Sequence, residues 1–60
     1  MLTKLRLIRL QKGLKQKTVA TLIGIHDSYL NKIENNSVKP TDEILIKLSK
    51  IYEVHAKELI

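Results

Sequence analysis

Residues 24–36, with the sequence GIHDSYLNKIENN, combine a narrow apolar stripe with a crowded polar side. Ile25, Leu30 and Ile33 are spaced to line the buried side of a short helix over residues 27–34. Gly24 precedes them and permits a sharp turn that larger residues resist. The positions left over are predicted to face solvent, and all of them are polar or charged: Asp27, Ser28, Asn31 and Lys32. This stretch therefore predicts a helix that packs with one side and leaves the other side free.

Turn signals divide the rest of the chain into further short helices. They fall at Gly13, Gly24, residues 35–36, Pro40 and residues 53–54, and no sustained two-residue alternation between them indicates a strand. The predicted helices span residues 3–12, 16–23, 27–34, 41–52 and 56–59. We expect an all-α fold, a compact bundle of about five short helices that forms a single domain over residues 1–60.

The helix ends and the inner faces follow from the same pattern. Thr3 and Thr41 are placed to cap the first and fourth helices, and Pro40 restricts the chain before the fourth. The residues expected to face the core are Leu2, Leu5 and Ile8 in the first helix, Val19, Ala20 and Ile23 in the second, and Leu45, Leu48 and Tyr52 in the fourth.

Charge is distributed unevenly along the 60 residues. The formal net charge is +5, and the first 26 residues carry six basic side chains and no acidic one. A one-sided positive field attracts polyanions, which makes nucleic acid or an anionic membrane surface a leading partner, although ordinary solubilising charge explains the total equally well. The chain has no cysteine, and its longest apolar run, residues 44–46, is far too short to span a membrane. We therefore expect a domain of the cytoplasm.

The second and third predicted helices form a recognisable unit. A helix over 16–23, a tight turn at Gly24 and a helix over 27–34 with an exposed polar face can place the second of the two helices in the major groove of DNA. Side chains near the start of that helix then meet base edges. The pattern favours a protein that binds double-stranded DNA.

The sequence closely resembles a known family at this point. It is similar to the helix-turn-helix domains of the lambda-repressor/Cro type, the XRE family of transcriptional regulators. The segments IRLQKGLKQKTVATLIGI (8–25), SYLNKIENNSVKPT (28–41) and LIKLSKIYEVHAKEL (45–59) match the family's motifs in order and with the right spacing. The resemblance covers nearly the whole chain. It implies a cytoplasmic, nucleoid-associated regulator of prokaryotic or phage type, acting as a repressor.

The resemblance also implies roles for individual residues. Arg9 and Glu34 match a pair that forms a structural salt bridge between the first and third helices. Base-facing positions are matched by His26, Asp27, Ser28 and Lys32. Positions that contact the DNA backbone are matched by Gln16, Asn35 and Lys39. Apart from the resemblance, we expect Lys17 and the hydroxyl of Tyr29 to contact the DNA backbone.

Some residues depart from the family pattern. Lys15 and His26 occupy cap positions where the family usually has Ser or Thr, so we expect Asp27 either to cap the third helix or to accept a hydrogen bond from cytosine N4. Lys32 can donate either to guanine or to a phosphate. Asn36 and Glu53 stand at positions that require a left-handed backbone, which asparagine adopts more readily than glutamate.

The same residues argue against enzymatic and metal-binding functions. His26 and His55 are far apart in sequence without a carboxylate or cysteine cluster, and His55 is better explained as the start of the last helix, with Glu58 reaching back to it. No catalytic constellation, phosphate-binding glycine loop, cofactor site or small-molecule site is predicted.

The sequence is also compatible with partners other than a single DNA duplex. Leu7 and Leu10 are predicted to face away from the core and, with Leu59 and Ile60, to form a patch for a second copy of the chain. A homodimer would read a palindromic operator. The alternatives are a protein-interaction module on the same fold, of antitoxin or anti-repressor type, and a basic domain that binds membrane or RNA without sequence preference.

Overall fold

The computed structural model of the protein describes residues 3–59. Four α-helices follow one another, α1 (Lys4–Gln11), α2 (Gln16–Ile23), α3 (Asp27–Glu34) and α4 (Asp42–Tyr52), and a short 3-10 helix (Ala56–Leu59) comes after them. Over this range the chain contains no strand. The all-α prediction is confirmed, and the fifth predicted helix is a single 3-10 turn packed against α4.

Threonine side chains begin the first and last α-helices as predicted. The Thr3 hydroxyl accepts a hydrogen bond from the backbone N–H of Arg6 at 3.3 Å, and the Thr41 hydroxyl accepts one from Ile44 at 3.2 Å. Each bond satisfies one of the N–H groups that the first turn of a helix leaves without a partner. Both helices consequently begin one residue later than the sequence pattern indicated.

Each α-helix is followed, within two residues of its end, by a residue with a left-handed backbone. These residues are Gly13, Gly24, Asn36 and Glu53, with φ between 56° and 76°. After each one, the next N–H reaches back five residues to a helical carbonyl, as Ile25 does to Ala20 at 3.0 Å. This is the Schellman arrangement, and it fixes the sharp change of direction between α2 and α3.

The helices enclose one hydrophobic cluster. Its buried members come from every element: Leu5, Val19, Ala20, Ile23, Leu30, Ile33, Ile44, Leu48, Tyr52 and Leu59. In α4 the fully buried line is Ile44, Leu48 and Tyr52, whereas Leu45, predicted to face inward, is only half-buried.

The end of the chain corrects one prediction. Leu59, expected in an exposed patch, is 3 % exposed and belongs to the core, because the 3-10 helix folds back onto α4. Leu7 and Leu10 are exposed as predicted, at 41 % and 49 %. Leu2, predicted to face the core, and Ile60, predicted in the exposed patch, lie outside the described residues.

None of the helices within residues 3–59 is long and apolar enough to cross a membrane. The longest, α4, has 11 residues.

Candidate nucleic-acid interface

The third helix is held from one side only. Leu30, Ile33 and Glu34 are buried, while Ser28 and Lys32 are exposed. At about 100° per residue, these two exposed side chains project on the side of α3 opposite the buried ones. The polar face predicted from the sequence is therefore accessible along the length of the helix.

A buried ion pair anchors the rear of this helix. Arg9 Nε donates to Glu34 Oε2 at 2.7 Å and Arg9 Nη2 donates to Glu34 Oε1 at 3.2 Å, with Arg9 6 % and Glu34 1 % exposed. A third Arg9 nitrogen, Nη1, donates to the backbone carbonyl of Leu14 at 2.8 Å. The bidentate geometry fixes α1 against the end of α3, which is the salt bridge that the resemblance implied.

Two further hydrogen bonds converge on Glu34. Gln16 Nε2 donates to Glu34 Oε1 at 3.1 Å, and the Thr3 hydroxyl donates to the Glu34 backbone carbonyl. The first residue of α2, the cap of α1 and the last residue of α3 are thereby joined at one point. Because an amide nitrogen carries two hydrogens, Gln16 keeps one donor for another partner.

The charges of Arg9 and Glu34 affect the pKa of Tyr52. The pKa of Tyr52 is raised from 10.0 to about 12, mainly because burial disfavours the phenolate. The negative charge of Glu34 raises this pKa further, and the positive charge of Arg9 opposes it.

The start of α3 differs from the expectation. The helix is capped by the side chain of His26, whose Nδ1 accepts a hydrogen bond from the backbone N–H of Ser28 at 3.2 Å. Asp27, predicted as the alternative cap, is the first helical residue, and its Oδ1 lies 3.1 Å from the same Nδ1. A ring nitrogen in the cap position reaches the N–H of the second helical residue, so the carboxylate is not needed there.

The other candidate residues lie around α3. Lys17, Asn35 and Lys39 are exposed, and Tyr29 is half-buried against the core. Asn35 Nδ2 donates to Asn31 Oδ1 at 2.9 Å. This hydrogen bond fixes the side-chain amide of Asn31 on the polar face, and the sequence pattern predicted no contact of Asn31 with DNA. The spacing of the two asparagines could have predicted this hydrogen bond, because residues four apart on a helix are neighbours.

The start of α2 has free backbone donors. In the described part of the chain, its N-cap residue Lys15 makes no side-chain cap hydrogen bond. The first N–H groups of a helix carry partial positive charge and bind anions such as phosphate. Lys15 and Lys17 add exposed positive charge at the same place.

No metal site is formed by the described residues, since nowhere in 3–59 do three His, Cys, Asp or Glu side chains come together in a group that could hold an ion.

Comparison with known proteins identifies the fold. No curated protein and no solved structure matches the chain. A family model described as "Helix-turn-helix" matches residues 5–59, which includes all four α-helices except the first residue of α1. That family is one of DNA-binding regulators and is not typically enzymatic. The chain therefore belongs to the XRE-type helix-turn-helix family, whose domain binds double-stranded DNA.

Proposed function

We propose that this protein is a sequence-specific transcriptional repressor that inserts α3 into the major groove of an operator. The observation that carries the proposal is the one-sided burial of α3, with Leu30, Ile33 and Glu34 inside and Ser28 and Lys32 outside. A helix so held can lie in the groove without disturbing the core. Occupation of an operator would then exclude the polymerase from the promoter, at the nucleoid of a prokaryotic or phage-infected cell.

The base contacts are assigned by chemistry. Lys32, exposed in the last turn of α3, can donate to guanine O6 or N7. Asp27 can accept from cytosine N4 because its carboxylate is not used as the cap. Ser28 can either donate or accept, and His26 lies at the leading end of the helix beside it.

The backbone contacts surround these positions. The second amide hydrogen of Gln16 is available to a phosphate, and Glu34 fixes the side chain from behind. Lys17, Asn35 and Lys39 supply further exposed donors, and Tyr29 supplies a hydroxyl at the edge of the helix. If about four phosphates are neutralised by each domain, log K should fall with log salt at a slope of roughly −3.6.

We also propose that the protein binds a palindromic operator as a homodimer. One domain of this type buries only about 600–1,000 Å² on DNA, and pairing lets two copies read half-sites about 34 Å apart. Leu7 and Leu10, one turn apart on the outer face of α1, supply the apolar contact. Sedimentation should show a dimer that Leu7→Ser with Leu10→Ser abolishes and Ile46→Ser, at another exposed apolar residue, leaves intact. A wild-type protein that stays monomeric at high micromolar concentration contradicts the dimer.

The decisive experiment is selection of bound duplexes from a random pool, followed by titration of the best duplex against two lysine variants. Lys32→Ala should weaken binding about 5- to 150-fold and relax the preference at one base pair, because a base contact is worth about 1–3 kcal/mol. Lys57→Ala is the matched control, since Lys57 is exposed on the 3-10 helix, which packs on α4.

Two results would contradict the proposal. One is an equal loss of affinity in both lysine variants, and the other is equal affinity for every polyanion. If the NMR signals of Asp27, Ser28 and Lys32 shift with a protein but not with duplex DNA, the domain is a protein-interaction module.

A further inference from the structure

The nitrogen that caps α3 also contacts the hydroxyl of a proposed base-reading side chain. His26 Nδ1 lies 2.8 Å from Ser28 Oγ and 3.2 Å from the Ser28 backbone nitrogen. Asp27 Oδ1 lies 3.1 Å from the same Nδ1 and is the charged group that the described residues pair with the ring. Three groups therefore compete for one nitrogen, and the proton on that nitrogen decides which of them it bonds.

A neutral ring with its proton on Nε2 makes Nδ1 an acceptor. Nδ1 then accepts from the Ser28 N–H, which is the helix cap, and from the Ser28 hydroxyl. With its hydrogen directed at the ring, the hydroxyl offers only lone pairs to the outside. Such an oxygen pairs with an exocyclic amino group, cytosine N4 or adenine N6, in the major groove.

A protonated ring reverses these roles. Nδ1–H can only donate, and the carboxylate of Asp27 and the oxygen of Ser28 are both within reach. The hydroxyl hydrogen of Ser28 is then released and can be donated outward to guanine O6 or N7 or to thymine O4. The structure thus contains two hydrogen-bonding states of one side chain, and they differ by one proton on its neighbour.

We propose that His26 is a positioning residue whose protonation sets whether Ser28 presents an acceptor or a donor to DNA. The inference rests on the proposed function, because it requires α3 to lie in the major groove. Histidine is the usual proton switch of proteins, and duplex binding can be measured while the pH is varied. When the ring is protonated, the carboxylate of Asp27, 3.1 Å from Nδ1, is in place to accept its hydrogen and to offset the positive charge at the start of α3.

The test is duplex selection from a random pool at about pH 5.5 and about pH 8. At the base that the Ser28 hydroxyl contacts, wild-type protein should favour adenine or cytosine at the higher pH and guanine or thymine at the lower pH. We expect the ratio of the two preferences to change about tenfold, which lies within the discrimination that one base contact provides. His26→Asn keeps a good helix cap without titrating, and Ser28→Ala removes the hydroxyl, so both variants should show no change of preference with pH.

The outcomes separate this inference from the function on which it rests. Bound duplexes whose base preference is the same at both pH values overturn the role of His26 and leave the proposed function standing. The same pH dependence in His26→Asn also overturns it, because another group must then be titrating. A pool that yields no bound duplex at either pH overturns the proposed function, and this inference with it.

Discussion

Removal of the charge on Glu34 should destabilise the domain far more than removal of any exposed acidic charge. Glu34→Gln keeps the size of the side chain but replaces one carboxylate oxygen by an NH2 group. Both oxygens of Glu34 accept hydrogen bonds from Arg9, and one also accepts from Gln16. The new NH2 group therefore faces an N–H donor of Arg9 or Gln16 instead of accepting from it, and the buried guanidinium of Arg9 loses its counter-charge.

The magnitude follows from the burial of the pair. Loss of one partner of a buried ion pair costs about 3–5 kcal/mol, because the remaining charge is stranded. The core of a domain this small supplies a net stability of about 3–5 kcal/mol, so the variant should be largely unfolded at room temperature. A loss of 3 kcal/mol corresponds to a fall in Tm of roughly 12–24 °C.

The assay is thermal and urea unfolding followed by circular dichroism. Glu43→Gln provides the matched control, because Glu43 pairs with Lys47 at 3.4 Å on the exposed side of α4 and the pair is worth about 0.5 kcal/mol or less. Arg9→Met combined with Glu34→Gln should cost less than the two single changes added together. A cost for Glu34→Gln as small as that for Glu43→Gln would refute the reasoning.

Two further predictions concern α4. Because the pKa of Tyr52 is about 12 in the folded protein against 10.0 ordinarily, the resulting stability is complete below about pH 10 and is lost as the pH rises through 12. Urea unfolding at increasing pH should show a loss of about 2–3 kcal/mol in the free energy of unfolding. Tyr52→Phe keeps every lysine that also titrates at high pH, so this variant should lack only the loss that Tyr52 causes. Glu53→Gly should stabilise the domain by about 0.5 kcal/mol in net terms. Glycine adopts the φ of 56° at that position without strain, and this gain exceeds the opposing increase in the entropy of the unfolded chain. Lys57→Gly, on the exposed face of the 3-10 helix, should bring no such gain, and a destabilised Glu53→Gly would show that the glutamate side chain contributes to the fold.

Much of the fold could be predicted because it depends on local interactions. The bounds of α2 and α3 match the sequence prediction to the residue, since each helix is followed within two residues by one that tolerates a left-handed backbone. The Thr3 and Thr41 caps are likewise determined by neighbours within three residues. The pairing of Arg9 with Glu34 was different, because it rested on resemblance to a family and not on periodicity.

The failures occurred where distant parts of the chain meet or where a residue acts unusually. Leu59 is buried because a 3-10 turn folds back on α4, and periodicity within four residues cannot show which way such a turn faces. The sequence placed His26 at the cap position of the third helix but did not predict that its ring accepts the cap hydrogen bond. Ser, Thr, Asp and Asn are the usual caps, so Asp27 was one of the expected ones. The ring of His26 matters at the candidate site because it contacts Ser28.

The tie between α1 and the end of α3 has a consequence for how quickly the protein folds. The connections between the α-helices span only three to seven residues, so most contacts form between near neighbours, and helical domains of that kind fold in about microseconds to milliseconds. The bonds from Arg9 and Thr3 to Glu34 are exceptions, because they join residues 25 and 31 positions apart. Closure of loops of that length costs conformational entropy before the contacts that compensate for it have formed. We therefore expect the unit of α2 and α3 to form early and α1 to dock on it later.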